Sequence, residues 1–147
     1  MLIFKDITKD NYKQCLNLSV HKNQINFVGS NASSLAKAYV FKDETKPFSI
    51  YDNDNMIGFL LMRFNFDIDN CFLWEFMIDK NYQSQGYGKK SLILFIDWVK
   101  NNTSFKTITT TCKLDNIIAK NLYTDLGFKY LSSCLEFNEE NLILNIR

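Results

Sequence analysis

The chain has 147 residues, of which 46% are apolar and 15% are aromatic, and its formal net charge is +1. A chain of this length is expected to fold as one domain, residues 1–147, which buries roughly 68–70% of its unfolded surface. The near-neutral charge gives no reason to expect a nucleic-acid or anionic-membrane partner. No apolar run approaches the roughly 20 residues of a membrane span, and the N-terminal residues lack the pattern of a signal peptide.

The chain contains one histidine, His21, and four widely spaced cysteines without a C-x-x-C pair. This composition disfavours zinc sites and Ser-His-Asp catalysis. We therefore expect reduced, mostly buried thiols in a cytoplasmic protein that carries no metal.

The N-terminal half is predicted to contain a strand, two helices and an antiparallel meander. The predicted elements are a strand at 2–7, helices at 12–20 and 32–41, and strands at 48–51, 56–66 and 71–79. Asx-type turns separate the last three strands, and Gly58 is a candidate for a bulge. Acidic turn residues, expected near one end of the meander, either are simply solvated or add negative potential for a cationic ligand: Asp52, Asp54, Asp67 and Asp69.

The segment 70–100 is predicted to form a strand, a glycine turn and a helix. Residues 71–79 are apolar or aromatic at almost every position, which is typical of a strand buried on both faces. The turn contains Gly86 and Gly88 and leads into a helix at 89–100. A glycine turn that opens a helix exposes unpaired N–H groups at the positive end of the helix dipole, which is an anion site. The alternative is an ordinary strand-to-helix turn without a ligand.

The C-terminal part is predicted to complete the sheet. A strand at 105–112 follows the helix, and a strand-helix-strand connection of this length implies a parallel pair. A last helix at 116–126, capped by Asp115, leads through Gly127 into closing strands at 128–137 and 141–146. The short polar connection between these two strands predicts a hairpin.

Two segments together resemble one family. The turn Gln83-Ser84-Gln85-Gly86-Tyr87-Gly88 is similar to the acetyl-CoA motif Q/R-x-x-G-x-G/A of the GNAT superfamily of N-acetyltransferases. The segment 116–128 is similar to a second signature of that family, N-x-x-A-x-x-x-Y-x-x-x-G-F. Taken alone, Tyr123 is better explained as a core aromatic residue, and Asn116 is better explained as a polar residue of a first helical turn.

The resemblance implies the GNAT fold, acetyl-CoA as cosubstrate and no metal. This fold is of the α/β (α+β) class: a single mixed, mostly antiparallel sheet of six to seven strands, about four helices, and a splayed parallel central strand pair. Tyr123 is implied to protonate the departing thiolate, and Asn116 to bond the pantetheine arm. The coenzyme-binding residues implied are Phe76, Met77, Ile78, Gln83, Ser84, Gln85, Gly86, Tyr87, Gly88, Lys89, Asn116 and Tyr123.

Glu75 is the candidate general base. It is a carboxylate inside an otherwise apolar strand, where burial without a partner is costly. A cationic substrate or a water chain is one source of that partner. A structural ion pair with a nearby Lys or Arg is the alternative.

The acceptor is expected to be a small polyamine. Segments of the N-terminal half, at 20–28, 34–39 and 50–52, together with 76–83, resemble the bacterial diamine (spermidine and spermine) N-acetyltransferases. Two alternatives stay open: acetylation of a protein N-terminus or lysine, and a non-catalytic acyl-CoA-binding sensor. The sequence also leaves the oligomeric state open, with a homodimer as one alternative.

Overall fold

A seven-stranded mixed sheet is the frame of the computed structural model, which describes residues 1–147. The strands are β1 (Leu2–Lys5), β2 (Thr45–Asp52), β3 (Asn55–Asn65), β4 (Asn70–Ile78), β5 (Thr107–Lys113), β6 (Lys129–Cys134) and β7 (Glu139–Asn145). Their spatial order is β1-β2-β3-β4-β5-β7-β6. The pair β4–β5 is parallel and all other neighbours are antiparallel.

Four α-helices flank the sheet: α1 (Tyr12–Asn17), α2 (Asn31–Val40), α3 (Tyr87–Asn102) and α4 (Ile117–Asp125). Side chains alternate between the two faces of a strand. Phe59 of β3 therefore packs with α1 and α2, whereas the next residue, Leu60, packs with α3 and α4. The predicted architecture is confirmed. None of the helices combines the length and apolar character that a membrane span requires.

Strand β2 begins three residues earlier than predicted, at Thr45, and includes Pro47. Pro47 lies opposite Leu61 of β3, but β1 pairs with β2 only from Ser49 onwards. Proline is tolerated here because β2 has no neighbour on the β1 side at this position, so the sheet does not need its missing N–H.

The sequence predicted that the acidic turns lie near one end of the meander, and this prediction is wrong. The turn with Asp52 and Asp54 precedes β3, and the turn with Asp67 and Asp69 follows it. Strand β3 has 11 residues, so the two turns are separated by roughly 35 Å. The four carboxylates therefore cannot act on one ligand.

Gly58 adjoins a bulge and allows two strands to approach closely. The register between β2 and β3 shifts so that Ile57 is the extra residue, next to the predicted position. A Cβ atom on Gly58 would lie 2.5 Å from the Met77 carbonyl oxygen of β4. Any side chain larger than hydrogen would push β4 away from β3.

Burial of β4 differs from the prediction in the middle of the strand. Cys71, Leu73, Met77 and Ile78 are buried, whereas the segment 74–76 is half-buried. The register to β3 also shifts here, with Leu61 opposite Glu75 and Met62 opposite Leu73. The exposure follows from the loss of the neighbouring strand, which opens a cleft.

Candidate active site

The parallel strands β4 and β5 separate halfway along their length. They pair only over Asn70–Leu73 and Thr107–Thr110. At the last pair the Thr110 hydroxyl donates to the Leu73 carbonyl oxygen at 3.1 Å. Beyond it opens the β4–β5 cleft, defined by residues 73–76 on one wall and residues 110–112 with α4 on the other. This is the splay that the family resemblance implied.

The second half of β4 directs main-chain groups into the cleft. The Asp79 N–H donates to the Ile57 carbonyl of β3 at 2.8 Å, and hydrogen-bonding direction alternates along an antiparallel strand. Met77 therefore faces β3 with its main chain, as its carbonyl near Gly58 also indicates. Phe76 and Ile78 direct their main-chain groups away from β3, and Phe76 lines the cleft.

Tyr123 extends from α4 into the wall of the cleft. The side chain is buried and packs edge-on against Phe128, with ring centroids 5.3 Å apart. Burial raises the pKa of Tyr123 well above its ordinary value, and a hydrogen bond with Thr110 opposes this only in part. The phenol is therefore protonated at neutral pH.

Asn116 is the N-cap of α4, a role that the sequence assigned to Asp115. Its Oδ1 atom accepts from the Ala119 N–H at 3.2 Å, and its backbone is not helical, with φ −84° and ψ 73°. Asn116 lies outside the helix proper, yet it lines the same cleft as Tyr123. Capping uses the amide oxygen and leaves the amide N–H groups available to a ligand.

The glycine turn forms an open helix N-terminus. Gly86 is the N-cap of α3 with φ +83°, and Ser84 has φ +62°. The helix begins at Tyr87, two residues earlier than predicted, so Gly88 and Lys89 belong to its first turn. No side chain caps this end and no acidic residue lies in the first turn.

These features fit a bound polyanion. The first N–H groups of a helix have no intrahelical partner, and the helix dipole adds positive potential. A Cβ atom on Gly86 would meet no atom within 4 Å, so the turn presents free space to a ligand. Lys89 and Lys90 are exposed beside it.

Two residues of the turn are committed to contacts within the protein. The Gln83 Nε2 donates to the Ile78 carbonyl at 2.9 Å, and Gln83 also forms a reciprocal amide pair with Gln24, at 2.9 and 3.0 Å. The Tyr87 hydroxyl donates to Asp52 at 2.6 Å. That bond lowers the pKa of the Asp52 carboxyl and raises the pKa of Tyr87. Asp52 therefore supports the turn rather than a cationic ligand.

A larger polar pocket of about 380 Å³ adjoins the cleft. Its walls come from the loop 26–29, from α2, from β4 and from the β5 and β7 strands, and Glu75 lines both cavities. The Glu75 carboxylate accepts from the Gly29 N–H at 3.2 Å and from the Lys37 ammonium at 3.2 Å. The ion pair that the sequence left open as the alternative for Glu75 is therefore present.

The pocket contains a second carboxylate that the sequence did not suggest. Glu139 pairs with Lys113 at 3.0 Å, and both line the pocket. Sequence inspection also missed Gln24, Lys37 and Trp74. No local pattern marks these residues, because their partners are supplied by distant segments of the chain.

Comparisons with known proteins identify the family of the chain. Residues 13–128 match the model of the acetyltransferase (GNAT) family. A "Probable spermine N(1)-acetyltransferase" of Bacillus subtilis subsp. natto (strain BEST195) is 32% identical over 146 residues, which covers 95% of each chain. The spermine/spermidine N(1)-acetyltransferase of Bacillus subtilis (strain 168) is 31% identical with the same coverage.

Among solved structures, the spermidine N-acetyltransferase from Vibrio cholerae in complex with CoA and spermine superposes with a TM-score of 0.83. The superposition covers 98% of this chain and 95% of the other at 15% identity, which establishes similarity of fold. With the family match over most of the chain and the splayed parallel strand pair in place, the chain belongs to the acetyltransferase (GNAT) family and is an N-acetyltransferase.

Proposed function

We propose that the protein transfers the acetyl group of acetyl-CoA to a primary amine of a polyamine such as spermidine or spermine. The observation that carries this proposal is the pairing of two cavities: a cleft beside Tyr123, and a polar pocket that contains two carboxylates. The relatives named for spermine and spermidine acetylation support the acceptor class.

Acetyl-CoA supplies the reactive thioester, and the chain supplies the contacts that hold it. The pyrophosphate is held by the N–H groups of the turn at Gly86 and the first turn of α3. The pantetheine arm lies in the β4–β5 cleft against the main chain of Phe76 and Ile78. Met77 lies between them in β4, but its main chain faces β3 and makes no bond to the arm. The Asn116 amide N–H groups face the same arm.

The acceptor amine must lose a proton before it attacks. An aliphatic amine has a pKa near 10.4 in water, so only about one molecule in a thousand is neutral at pH 7.4. Glu75 lies in the wall shared by the two cavities, where a carboxylate serves as general base, directly or through water. The cleft-facing N–H groups of β4 are the donors available to the oxyanion that forms.

The departing thiolate takes a proton from Tyr123. Burial raises the pKa of this phenol and so keeps it protonated. Attack is direct, in a ternary complex. Cys112 also lines the cleft, but burial and the charge of Glu140 raise the pKa of its thiol. A thiol held neutral is a poor nucleophile, so an acyl-enzyme at Cys112 is disfavoured.

One other function competes with this proposal. A protein acetyltransferase would use the same coenzyme site with a peptide in the polar pocket. Release of free coenzyme A thiol from acetyl-CoA on addition of spermidine, followed continuously with a thiol reagent, tests the proposal. Thiol release that stays at the rate seen without amine would contradict it.

Glu75→Gln distinguishes a base from an anchor. The amide keeps the shape of the side chain, and its oxygen still accepts from the Gly29 N–H. Only the negative charge is removed. If Glu75 is the base, we expect kcat/KM for spermidine to fall and the acidic limb of its pH profile to move. An increase of KM at unchanged kcat would instead show that Glu75 only anchors the acceptor.

A further inference from the structure

The polar pocket already contains an ammonium group next to Glu75, and it comes from the protein itself. Lys37, on the last turns of α2, places Nζ 3.2 Å from Glu75 Oε1. The same Nζ atom lies 4.9 Å from the centroid of the Trp74 ring. A carboxylate combined with an aromatic face is the set of groups that binds an alkylammonium ion.

We propose that Lys37 is a specificity-determining residue: in the free enzyme its ammonium occupies the subsite for a cationic nitrogen of the acceptor, and the acceptor binds by displacing it. This inference rests on the proposed function, because it requires a cationic acceptor. The polyamine ammonium then takes over both contacts of Lys37, the Glu75 carboxylate and the Trp74 ring.

The structure makes Lys37 easy to displace. Its side chain is 32% exposed, whereas that of Glu75 is 14% exposed, so the lysine is the more mobile and more accessible partner of the pair. Glu75 is the one hydrogen-bond acceptor of the Lys37 ammonium. Glu75 keeps its bond from the Gly29 N–H when the lysine leaves, so the carboxylate stays oriented toward the pocket.

The second lysine of the pocket is held differently. The Lys113 ammonium donates to the Phe137 carbonyl oxygen at 2.9 Å as well as to Glu139 at 3.0 Å. It therefore connects β5 to the segment before β7, and its removal would disturb that connection. Lys37 makes no such tie to the main chain, which singles it out as the exchangeable cation.

Exchange of one ammonium for another keeps the Glu75 charge compensated throughout. A half-buried carboxylate without a partner is costly, so a neutral acceptor cannot replace Lys37 at this position. Lys37 therefore favours acceptors that bring their own positive charge and weakens the binding of all others. Its presence also reduces the apparent affinity for the polyamine, because the two cations compete.

The variant Lys37→Met tests this inference. Methionine keeps an unbranched side chain over Trp74 and removes the charge. Exposed and half-exposed ion pairs contribute only a small free energy, and the acceptor no longer has to break this pair in the variant. We therefore expect KM for spermidine to fall by roughly two- to fivefold, with kcat unchanged. Lys37→Gln serves as a second neutral variant. Lys37→Arg keeps a cation with a fork suited to carboxylates, so its KM should equal or exceed that of the parent.

The control variant is Lys106→Met, which removes the same charge from an exposed pair with Asp69, outside both cavities. Its KM should match that of the parent. Calorimetric titration of spermidine into the enzyme saturated with coenzyme A measures affinity without catalysis and should show the same order of variants.

Failure of this inference can be distinguished from failure of the proposed function. If the parent acetylates spermidine but the neutral variants leave KM unchanged or raise it, Lys37 merely orients Glu75. The inference is then wrong, while the proposed function stands. If the parent neither binds nor acetylates any polyamine, both are wrong.

Discussion

At the scale of single residues, Tyr123 is the group whose chemistry the structure defines most sharply. Burial raises its pKa, so the hydroxyl keeps its proton across the working pH range. Tyr123→Phe deletes that hydroxyl and keeps the ring against Phe128. We expect kcat to fall by about 10²–10⁴-fold, the usual contribution of general acid catalysis, with the acetyl-CoA dissociation constant unchanged. Steady-state kinetics and calorimetry measure the two quantities.

The pH dependence supplies an internal check on Tyr123. A raised pKa means that the acid form of Tyr123 persists as pH increases. Ionisation of Tyr123 should therefore cause no decrease in the kcat of the parent near pH 10, and the parent and Tyr123→Phe should have pH profiles of the same shape there. A kcat of the variant within about twofold of the parent would show that water or another group protonates the thiolate.

Gly86 is the residue on which we expect coenzyme binding to depend. Its φ of +83° strains any residue with a Cβ atom, but no protein atom would lie within 4 Å of that Cβ. We expect Gly86→Val to fold, at a cost of about 1–3 kcal/mol, and to lose measurable acetyl-CoA binding because the side chain fills the ligand's space.

Gly88→Ala is the matched control for Gly86→Val. Gly88 lies within α3, and its Cβ would contact Leu122 at an ordinary 3.4 Å. Although Gly88 is one of the implied coenzyme-binding residues, the motif Q/R-x-x-G-x-G/A accepts alanine at its position, so this variant should bind acetyl-CoA. Alanine also gains up to about 1 kcal/mol of helix propensity. Unchanged affinity in a folded Gly86→Val protein would remove the coenzyme site from this turn.

At the scale of elements, the close approach of β3 and β4 positions the cleft. The Cβ atom of Gly58→Ala would lie 2.5 Å from a main-chain oxygen that has no room to move without shifting β4. Overpacking of this kind costs about 1–3 kcal/mol. Urea denaturation should show a lower midpoint with an unchanged slope. A midpoint equal to that of the parent would mean that β4 adjusts freely.

The elements that the sequence predicted well are those with local signals. The glycine turn and the helix α3 follow from glycine placement and apolar spacing. Asn116 and Tyr123 line one cleft, as their spacing of seven residues predicted, although Asn116 is the N-cap and not a helical residue. The bulge opposite Leu61 and the exposure of Trp74 carry no local signal. They depend on where β5 stops pairing with β4, which is a property of the whole sheet.

At the scale of the whole molecule, long-range contacts join the N-terminal third to β4 and to the segment before the glycine turn. The Ser19 N–H donates to Asp79 and the Lys80 N–H donates to the Ser19 carbonyl, at 3.0 and 2.7 Å. Gln24 pairs with Gln83, and Gly29 with Glu75. These contacts join residues 46 to 61 positions apart, so no sequence pattern could predict them. The contact between Gly29 and Glu75 lies in the wall of the polar pocket.

The central claim is that the acceptor is a polyamine, and a competition assay tests it most directly. Enzyme and acetyl-CoA are mixed with equal concentrations of spermidine, spermine, putrescine, a lysine peptide and a peptide with a free N-terminus. The initial product ratios, measured by mass spectrometry, equal the ratios of kcat/KM. We expect acetylated spermidine and spermine to predominate. A peptide acetylated in preference to every polyamine would contradict the account and establish a protein acetyltransferase in its place.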